Sequence, residues 1–330
     1  MAQDRPASPP RQSMTEPVLL ALGSINADFQ VRVPGAPAVG ITQPASDFLR
    51  VGGGKAANRA FLARRLGHPA WLLGRVGDDD LRQQALAPLR EAGVDLDGVS
   101  VAEGVATAVS MIAVLPDGKK SILLAGNAND AWGEPEAEAV ARTIARAPGG
   151  SLLSLDHEVP GFVVAQAVRA ARTRGLPVLL DPSPSDRVDP DILAHVTAVS
   201  PNPDEAEGVT GIAVKDVSTA IAAARWFAER GVELAFVKLG DGGCVLLRDG
   251  RATHIPPVPM EVVDSTGAGD AFAGGLAVAL LEGMPPFEAA LFATAASHRA
   301  VTGYGSQQAY PDRAEIEALV PALRDAARAA

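Results

Sequence analysis

From residue 151 onward, short wholly apolar runs alternate with helix-period segments so regularly that few architectures can hold them. SLLSLD, LPVLLD, AVSPN and ELAFVKLG are each closed by Asp, Asn or Gly. Helical spacing fills the gaps: one helix over about 160–174, a short helix after DPSPS, and two helices that end near 230. Runs without polar alternation suit strands buried on both faces, and parallel strands need crossovers of this length. The first third has the same rhythm, with PVLLALGS and AWLLGRVG as strands and KAANRAFLARRLG and LRQQALAPLREAG as helices. The pattern predicts an α/β fold, a doubly wound and mostly parallel sheet flanked by helices, with ligands beyond the carboxyl ends of its strands.

Two stretches break the rhythm. Residues 29–52 and 105–126 read as short antiparallel strands, the second a hairpin about PDGKK. They are expected either to build a small β-sheet lid over the ligand edge or to serve as ordinary edge strands. The opening MAQDRPASPPRQSMTE is expected to be an unstructured tail over 1–16, without the apolar segment of a secretory signal.

A net charge of −10 argues against nucleic acid or a membrane surface as partner, because both are met by clustered Lys and Arg. Small neutral or anionic substrates remain. The single cysteine, Cys244, excludes an internal disulfide and suits a reducing, cytoplasmic compartment. Five scattered histidines lack zinc-ligand spacing.

Several polar motifs fall at the expected strand ends. Asp264-Ser-Thr-Gly-Ala-Gly-Asp270 sits where a strand is expected to pass into a helix. There the free N–H groups of Gly267, Ala268 and Gly269 and the helix dipole favour an anion such as phosphate. Asp270 has the chemistry of a base for an attacking hydroxyl, or of an acid that merely stabilises a helix N-terminus. GSINAD brings Asn26 and Asp28 to one side of an extended chain, as a polyhydroxyl ligand requires or as a polar turn allows. Lys55 and Asn58, three apart on a helix, face a polar pocket or solvent. Asn202 and Glu205 have the spacing of a capping box, and also the groups to hold a hydrated Mg2+. Lys238, Gly240, Asp241 and Gly243 form a strand-end loop suited to a nucleotide or to a plain hairpin.

No G-x-x-x-x-G-K-[ST] phosphate loop occurs. Gly52-Gly53-Gly54-Lys55-Ala56-Ala57 does satisfy G-x-G-x-x-A, so a nicotinamide-dependent oxidoreductase is the rival from another class. Its preceding segment, SDFLRV, carries Arg50 where a central strand would be apolar.

In this order, GSINAD, GGGKAANRA, SMIAVLPDGKKSILLAG, LDHEVP, DPSPS, SPNPDEAEGVTG, VKLGDGG and DSTGAGDAFAGG resemble the ribokinase-like, or phosphofructokinase-B-type, carbohydrate kinases. The likeness runs from about 18 to 310. It implies one kinase domain over 17–330 and ATP-dependent phosphorylation of a primary hydroxyl of ribose or a similar furanose. It implies Asp270 as base and the Gly267, Ala268 and Gly269 amides as anion hole. Asn26, Asp28, Gly54, Lys55, Asn58 and Glu158 match sugar-contacting positions. Asn202 and Glu205 match the motif that organises Mg2+, through water, and the phosphates. Lys238, Gly240, Asp241, Gly243 and Thr294 fall on the nucleotide side. Asp264, Thr266, Ala300, Gly303 and Gly305 match a monovalent cation site of the kind that holds K+, although Ala309 replaces an expected serine. The lid of such enzymes also forms a homodimer contact. A nucleoside kinase, a kinase of fructose or 2-keto-3-deoxygluconate, and a non-catalytic sugar sensor are the alternatives on the same fold.

Overall fold

The computed structural model describes residues 16–330, so the tail expected over 1–16 lies, apart from Glu16, outside the described residues. The chain opens with β1 (Leu19–Leu22), β2 (Asn26–Arg32), β3 (Ser46–Gly53), α1 (Lys55–Arg65), β4 (Ala70–Gly77), α2 (Leu81–Glu91) and β5 (Val99–Ala102). It continues with β6 (Ala108–Val114), β7 (Lys120–Ala125), α3 (Glu134–Ala145), β8 (Leu152–Leu155), α4 (Gly161–Thr173), β9 (Val178–Leu180) and β10 (Ala198–Val199). The last third holds α5 (Pro203–Thr210), α6 (Val217–Ala228), β11 (Leu234–Lys238), β12 (Cys244–Arg248) and β13 (Arg251–Ile255). It closes with α7 (Ala268–Leu281), α8 (Pro286–Ala300), α9 (Arg313–Ala326) and β14 (Arg328–Ala329).

Among the described residues these strands form a sheet of ten, in the order β14-β13-β12-β11-β10-β9-β8-β1-β4-β5, and a sheet of four, β3-β2-β6-β7. From β11 to β5 the large sheet is parallel; β12, β13 and β14 extend it antiparallel. The apolar runs are explained by burial on both faces. Leu19 and Ala21 pack into the layer that holds α1, α7 and α8, whereas Leu20 and Leu22 pack into the layer that holds α3, α4 and α6. The strand order reverses at β1, which lies between β4 and β8. A crevice opens at such a switch point beyond the carboxyl ends of the strands.

The small sheet alternates instead. Asn26, Asp28, Ser110 and Ile112 are buried on one face, while Phe48, Met111 and Leu123 are exposed on the other. Its strands lie in the two segments that break the α/β rhythm, but β2 and β6 run parallel, where antiparallel pairing throughout was expected. The reason is connectivity: α1, β4, α2 and β5 intervene between the two strand pairs, so β6 returns in the same direction as β2.

Other details depart from expectation as well. The chain before DSTGAGDAF is an irregular loop from residue 256, not a strand, because prolines at 256, 257 and 259 cannot donate to a sheet ladder. The short helix after DPSPS is two 3-10 turns, Ser185–Arg187 and Pro190–His195. No helix among the described residues is long and apolar enough to cross a membrane.

Candidate active site

α7 enters the molecule apolar on every side and is buried from Asp270 to Ala279. Its Gly275 permits that burial, since a Cβ there would stand 2.9 Å from the Ala296 methyl of α8. Gly267 caps the helix with φ 74°, and a Cβ at this left-handed position would also meet the Tyr310 hydroxyl at 2.8 Å. The turn 267–269 stands at the N-terminal end of α7, where helix-terminal N–H groups favour an anion, although Ala268 N here donates to Ser265 O at 3.3 Å.

Asp270 lies in the first turn of α7 and is 8% exposed. Its Oδ2 accepts a hydrogen bond of 2.7 Å from Asn58 Nδ2, and Gln307 Nε2 in turn donates to Asn58 Oδ1 at 3.0 Å. Lys55, the first residue of α1, holds its Nζ 3.9 Å from Asp270 Oδ1, 3.9 Å from Glu205 Oε1 and 3.6 Å from Asp181 Oδ2. Burial opposes charge on Lys55, yet Asp181, Asp270, Glu205 and Glu158 outweigh it and hold the ammonium well above the usual lysine range. Burial also pushes Asp28 and Glu158 up to about 7. Asp181 is held below its ordinary value despite burial, because Lys55, Lys238 and Arg59 surround it.

Beneath this layer Arg59 is completely buried and donates from Nη2 to Asp156 Oδ2 at 2.8 Å, with Nη1 3.7 Å from Asp181 Oδ2. The motif spacings gave no sign of Arg59, Asp156 or Asp181 as a charged floor. Asp181 was visible only as the first residue of DPSPS.

Two cavities meet at the amide turn. The smaller, about 450 Å³, is lined by Asn26, Asp28, Gly54, Lys55, Asn58, Glu158 and Asp270 and roofed by Ile122 and Leu124 of β7. Asn26 is held in it by Ser110 Oγ, to which it donates, and by Asn129 Nδ2, from which it accepts. The larger, about 750 Å³, is lined by Gly240 to Gly243, Pro257 to Met260, Ala268 and His298. Lys120, Asn202, Lys238 and Gly269 line both. Sequence reasoning missed Asn129, His298 and Gln307, which stand outside the motifs, and Ser110 and Lys120, which lie in the quoted SMIAVLPDGKKSILLAG hairpin but carry no spacing that assigns them to the site; only the closing of the fold brings all five in. Thr294 is not at either cavity: it is fully buried in α8, its hydroxyl donates to Ala290 O, and His298, one turn on, takes the cavity position.

Asn202 and Glu205 form a complete capping box, Asn202 Oδ1 accepting from Glu205 N and Glu205 Oε2 from Asn202 N. Glu205 Oε1 still faces Lys55, and Asn202 faces both cavities. Among the described residues no cluster of three or more His, Cys, Asp and Glu makes a protein cage for a metal. One carboxylate and one amide beside a phosphate-sized turn suit hydrated Mg2+, which keeps its waters and takes few protein ligands.

Asp264 is fully buried and accepts from Gln30 Nε2 (2.7 Å), Thr266 N (2.8 Å) and Gly305 N (2.9 Å). No Lys or Arg lies within 4 Å of it among the described residues, Thr266 Oγ1 is buried without a partner, and Asp264 N reaches Val301 O at the C-terminal end of α8. A buried carboxylate beside a helix C-terminus fits a cation. Gly305 meets it through its N–H, and Ala300 and Gly303 lie in the same α8-terminal segment.

The Gly-rich GGGKAA stretch begins within β3, an edge strand of the small sheet that pairs antiparallel with β2, whereas a dinucleotide site requires a buried parallel strand before its glycine turn. Residues 17–313 match the model of the pfkB family carbohydrate kinases, a span that includes the small sheet, every strand of the large sheet except β14, and every residue of the two cavities. The chain belongs to that family. It is an ATP-dependent carbohydrate kinase. Ribokinase of Haemophilus influenzae is 32% identical to it over 297 residues, which cover 90% of this chain and 96% of the relative. Ribokinase of Arabidopsis thaliana is 32% identical over 92% of this chain and 81% of its own length. The solved structure of the Arabidopsis enzyme, described as complexed with ribose and ATP, superposes with a TM-score of 0.80 at 30% identity, covering 93% of this chain and 99% of that one. The family assignment removes the oxidoreductase reading.

Proposed function

We propose that this kinase transfers the γ-phosphoryl group of ATP to the primary hydroxyl of ribose or a similar furanose. One observation supports the reading: Asp270 and Gly267 line the small polar cavity, Ala268 lines the larger one and Gly269 lines both, so the proposed base and anion hole lie at one junction. A pentose fits the smaller cavity in volume and in its crowd of hydrogen-bonding groups. Asn26, Asp28, Gly54, Lys55, Asn58 and Glu158 bind its hydroxyls, and ribokinases are among the relatives. The nucleotide takes the larger cavity, along the loop that contains Lys238, Gly240, Asp241 and Gly243.

Asn58 and Lys55 hold the Asp270 carboxylate toward the acceptor hydroxyl, whose proton it takes. The Gly267, Ala268 and Gly269 amides then meet charge on the phosphoryl oxygens as it passes in line. Asn202 and Glu205 would hold hydrated Mg2+, which when bound would neutralise phosphate charge. Asp264 and Thr266, with carbonyls of Ala300, Gly303 and Gly305, would hold a monovalent cation such as K+. The small sheet acts as a lid that excludes water, and its exposed outer face of Phe48, Met111 and Leu123 pairs with a second copy.

The test is ADP release with Mg-ATP across ribose, deoxyribose, fructose, 2-keto-3-deoxygluconate, adenosine, inosine and cytidine, with Asp270→Asn as control. Asp270-dependent turnover selective for ribose is the expected result; turnover of another acceptor moves the substrate, and sugar binding without turnover makes the protein a sensor. Rates in potassium against a Tris buffer free of alkali cations test the cation, and equal rates remove it.

A further inference from the structure

Three lysines reach the junction of the two cavities, and they differ in one respect. Lys55 has carboxylates at 3.6 to 3.9 Å and Lys238 has Glu205 at 4.0 Å. Lys120 has no carboxylate within 4 Å among the described residues, although its neighbour Lys119 pairs with Asp117 at 3.1 Å. Lys120 opens β7, on the same face of the small sheet as Ile122 and Leu124. Its Nζ donates to Ser265 O at 2.8 Å, two residues before the Gly267 turn. The hairpin that carries it is seated there too, since Gly118 O accepts from both Ser265 N and Ser265 Oγ at 2.9 Å. Burial of its amino group draws the Lys120 ammonium below the usual lysine value, and Asp270 offsets only part of that. A cation without a counter-ion, set beside helix-terminal amides, is completed by an anionic group placed between them.

We propose that Lys120 binds the terminal phosphates of the nucleoside triphosphate and stabilises the phosphoryl group in transfer, so that the small sheet contributes a catalytic residue as well as a cover. The inference rests on the phosphoryl-transfer reading above. In that step the sugar oxygen forms a bond to the γ-phosphorus as the bond to the β–γ bridging oxygen breaks. The hydroxyl proton goes to Asp270, ADP leaves with the electron pair, and Lys120 keeps its proton. The cation is in position only while the hairpin is seated on Ser265, which ties transfer to closure.

Lys120→Gln and Lys120→Arg, compared with the wild type and Asp270→Asn, test this in two arms. In turnover, Lys120→Gln is expected to lower kcat roughly 10- to 10³-fold with ribose affinity within about threefold, and Lys120→Arg to recover much of the loss. In calorimetry without sugar, Lys120→Gln is expected to weaken ATP roughly tenfold while AMP and adenosine bind as before. Unchanged kcat and ATP affinity would overturn the proposal. So would equal losses for ATP and AMP, or a loss confined to sugar affinity. Should the wild type turn over no acceptor, the phosphoryl-transfer reading fails by itself and the calorimetric arm still decides Lys120. Its exposed stem makes both variants compatible with folding, and an unchanged melting temperature verifies that.

Discussion

The two sheets are built on opposite plans. In the large sheet the central strands are apolar on both faces, and beyond their carboxyl ends Arg59, Asp156 and Asp181 form a buried floor beneath Lys55. In the small sheet each strand changes character residue by residue, polar toward the cavity and apolar toward solvent at Phe48, Met111 and Leu123. A sheet sealed on both faces holds groups in fixed relation, whereas a sheet with one face covered has less burial to hold it down and can serve as a moving part. Changes in the first should therefore damage chemistry or folding, and changes on the outer face of the second should leave both almost intact.

The largest effect expected from the large-sheet side is on Asp270, the proposed base at the head of α7. Asp270→Asn should reduce kcat by about 10²- to 10⁴-fold with sugar affinity much less changed, measured by ADP release and by calorimetry. Near-normal turnover would break the division between the sheets at its centre.

Next is the floor. Arg59→Met strands Asp156 in the interior and should destabilise the fold by about 3–5 kcal/mol in urea unfolding. A loss below about 1 kcal/mol would mean that water reaches the pair and that the floor is not sealed.

Asp28 gives an intermediate effect with a distinct pH signature. Burial raises it from an ordinary value of 3.8 to about 7, so the folded protein holds the proton more tightly than the unfolded chain. Its contribution to stability is complete below about pH 4 and is lost as pH rises through about 7. Asp28→Asn should thus gain on the wild type by about 1–4 kcal/mol between pH 5 and pH 8 in the absence of sugar, read from paired melting curves. A gap that does not change with pH would place Asp28 in contact with water.

The smallest stability change is expected on the outer face. Met111→Ser with Leu123→Ser should shift monomer stability by about 0.5 kcal/mol or less and, on the proposed pairing through this face, should abolish self-association in sedimentation velocity. A large loss of stability would mean that this face is packed within one chain after all, and unaltered assembly would move the contact elsewhere.

Legibility divides along the same line. The large sheet could be read from its apolar runs because burial on both faces leaves no polar alternation to confuse them. The small sheet was legible as a break in rhythm, but the parallel pairing of β2 with β6 was not, since that depends on a crossover through the other sheet. Within the site, Asp270, Asn58, Lys55, Asn26 and Asp28 stood in short motifs and do converge. Thr294 was misplaced by one helical turn, because a position in a helix says nothing about which face meets the cavity. Gln307 carries no local mark, yet it completes the hydrogen-bond chain through Asn58 to Asp270 across 249 residues of sequence.

What the sequence alone determined is local: where most strands and helices fall, that a glycine-rich turn opens the helix at Gly267, and which short segments carry anions, amides and cations. These follow from periodicity and backbone sterics, which act over a few residues. Only the tertiary structure decided that Lys120 from a hairpin, Lys238 from a strand end and Asp270 from a helix head share one junction, and that Arg59 and Asp181 lie beneath them. Distance in space between segments far apart in the chain is set by how the layers bury their apolar faces together, and no spacing within any one segment encodes it.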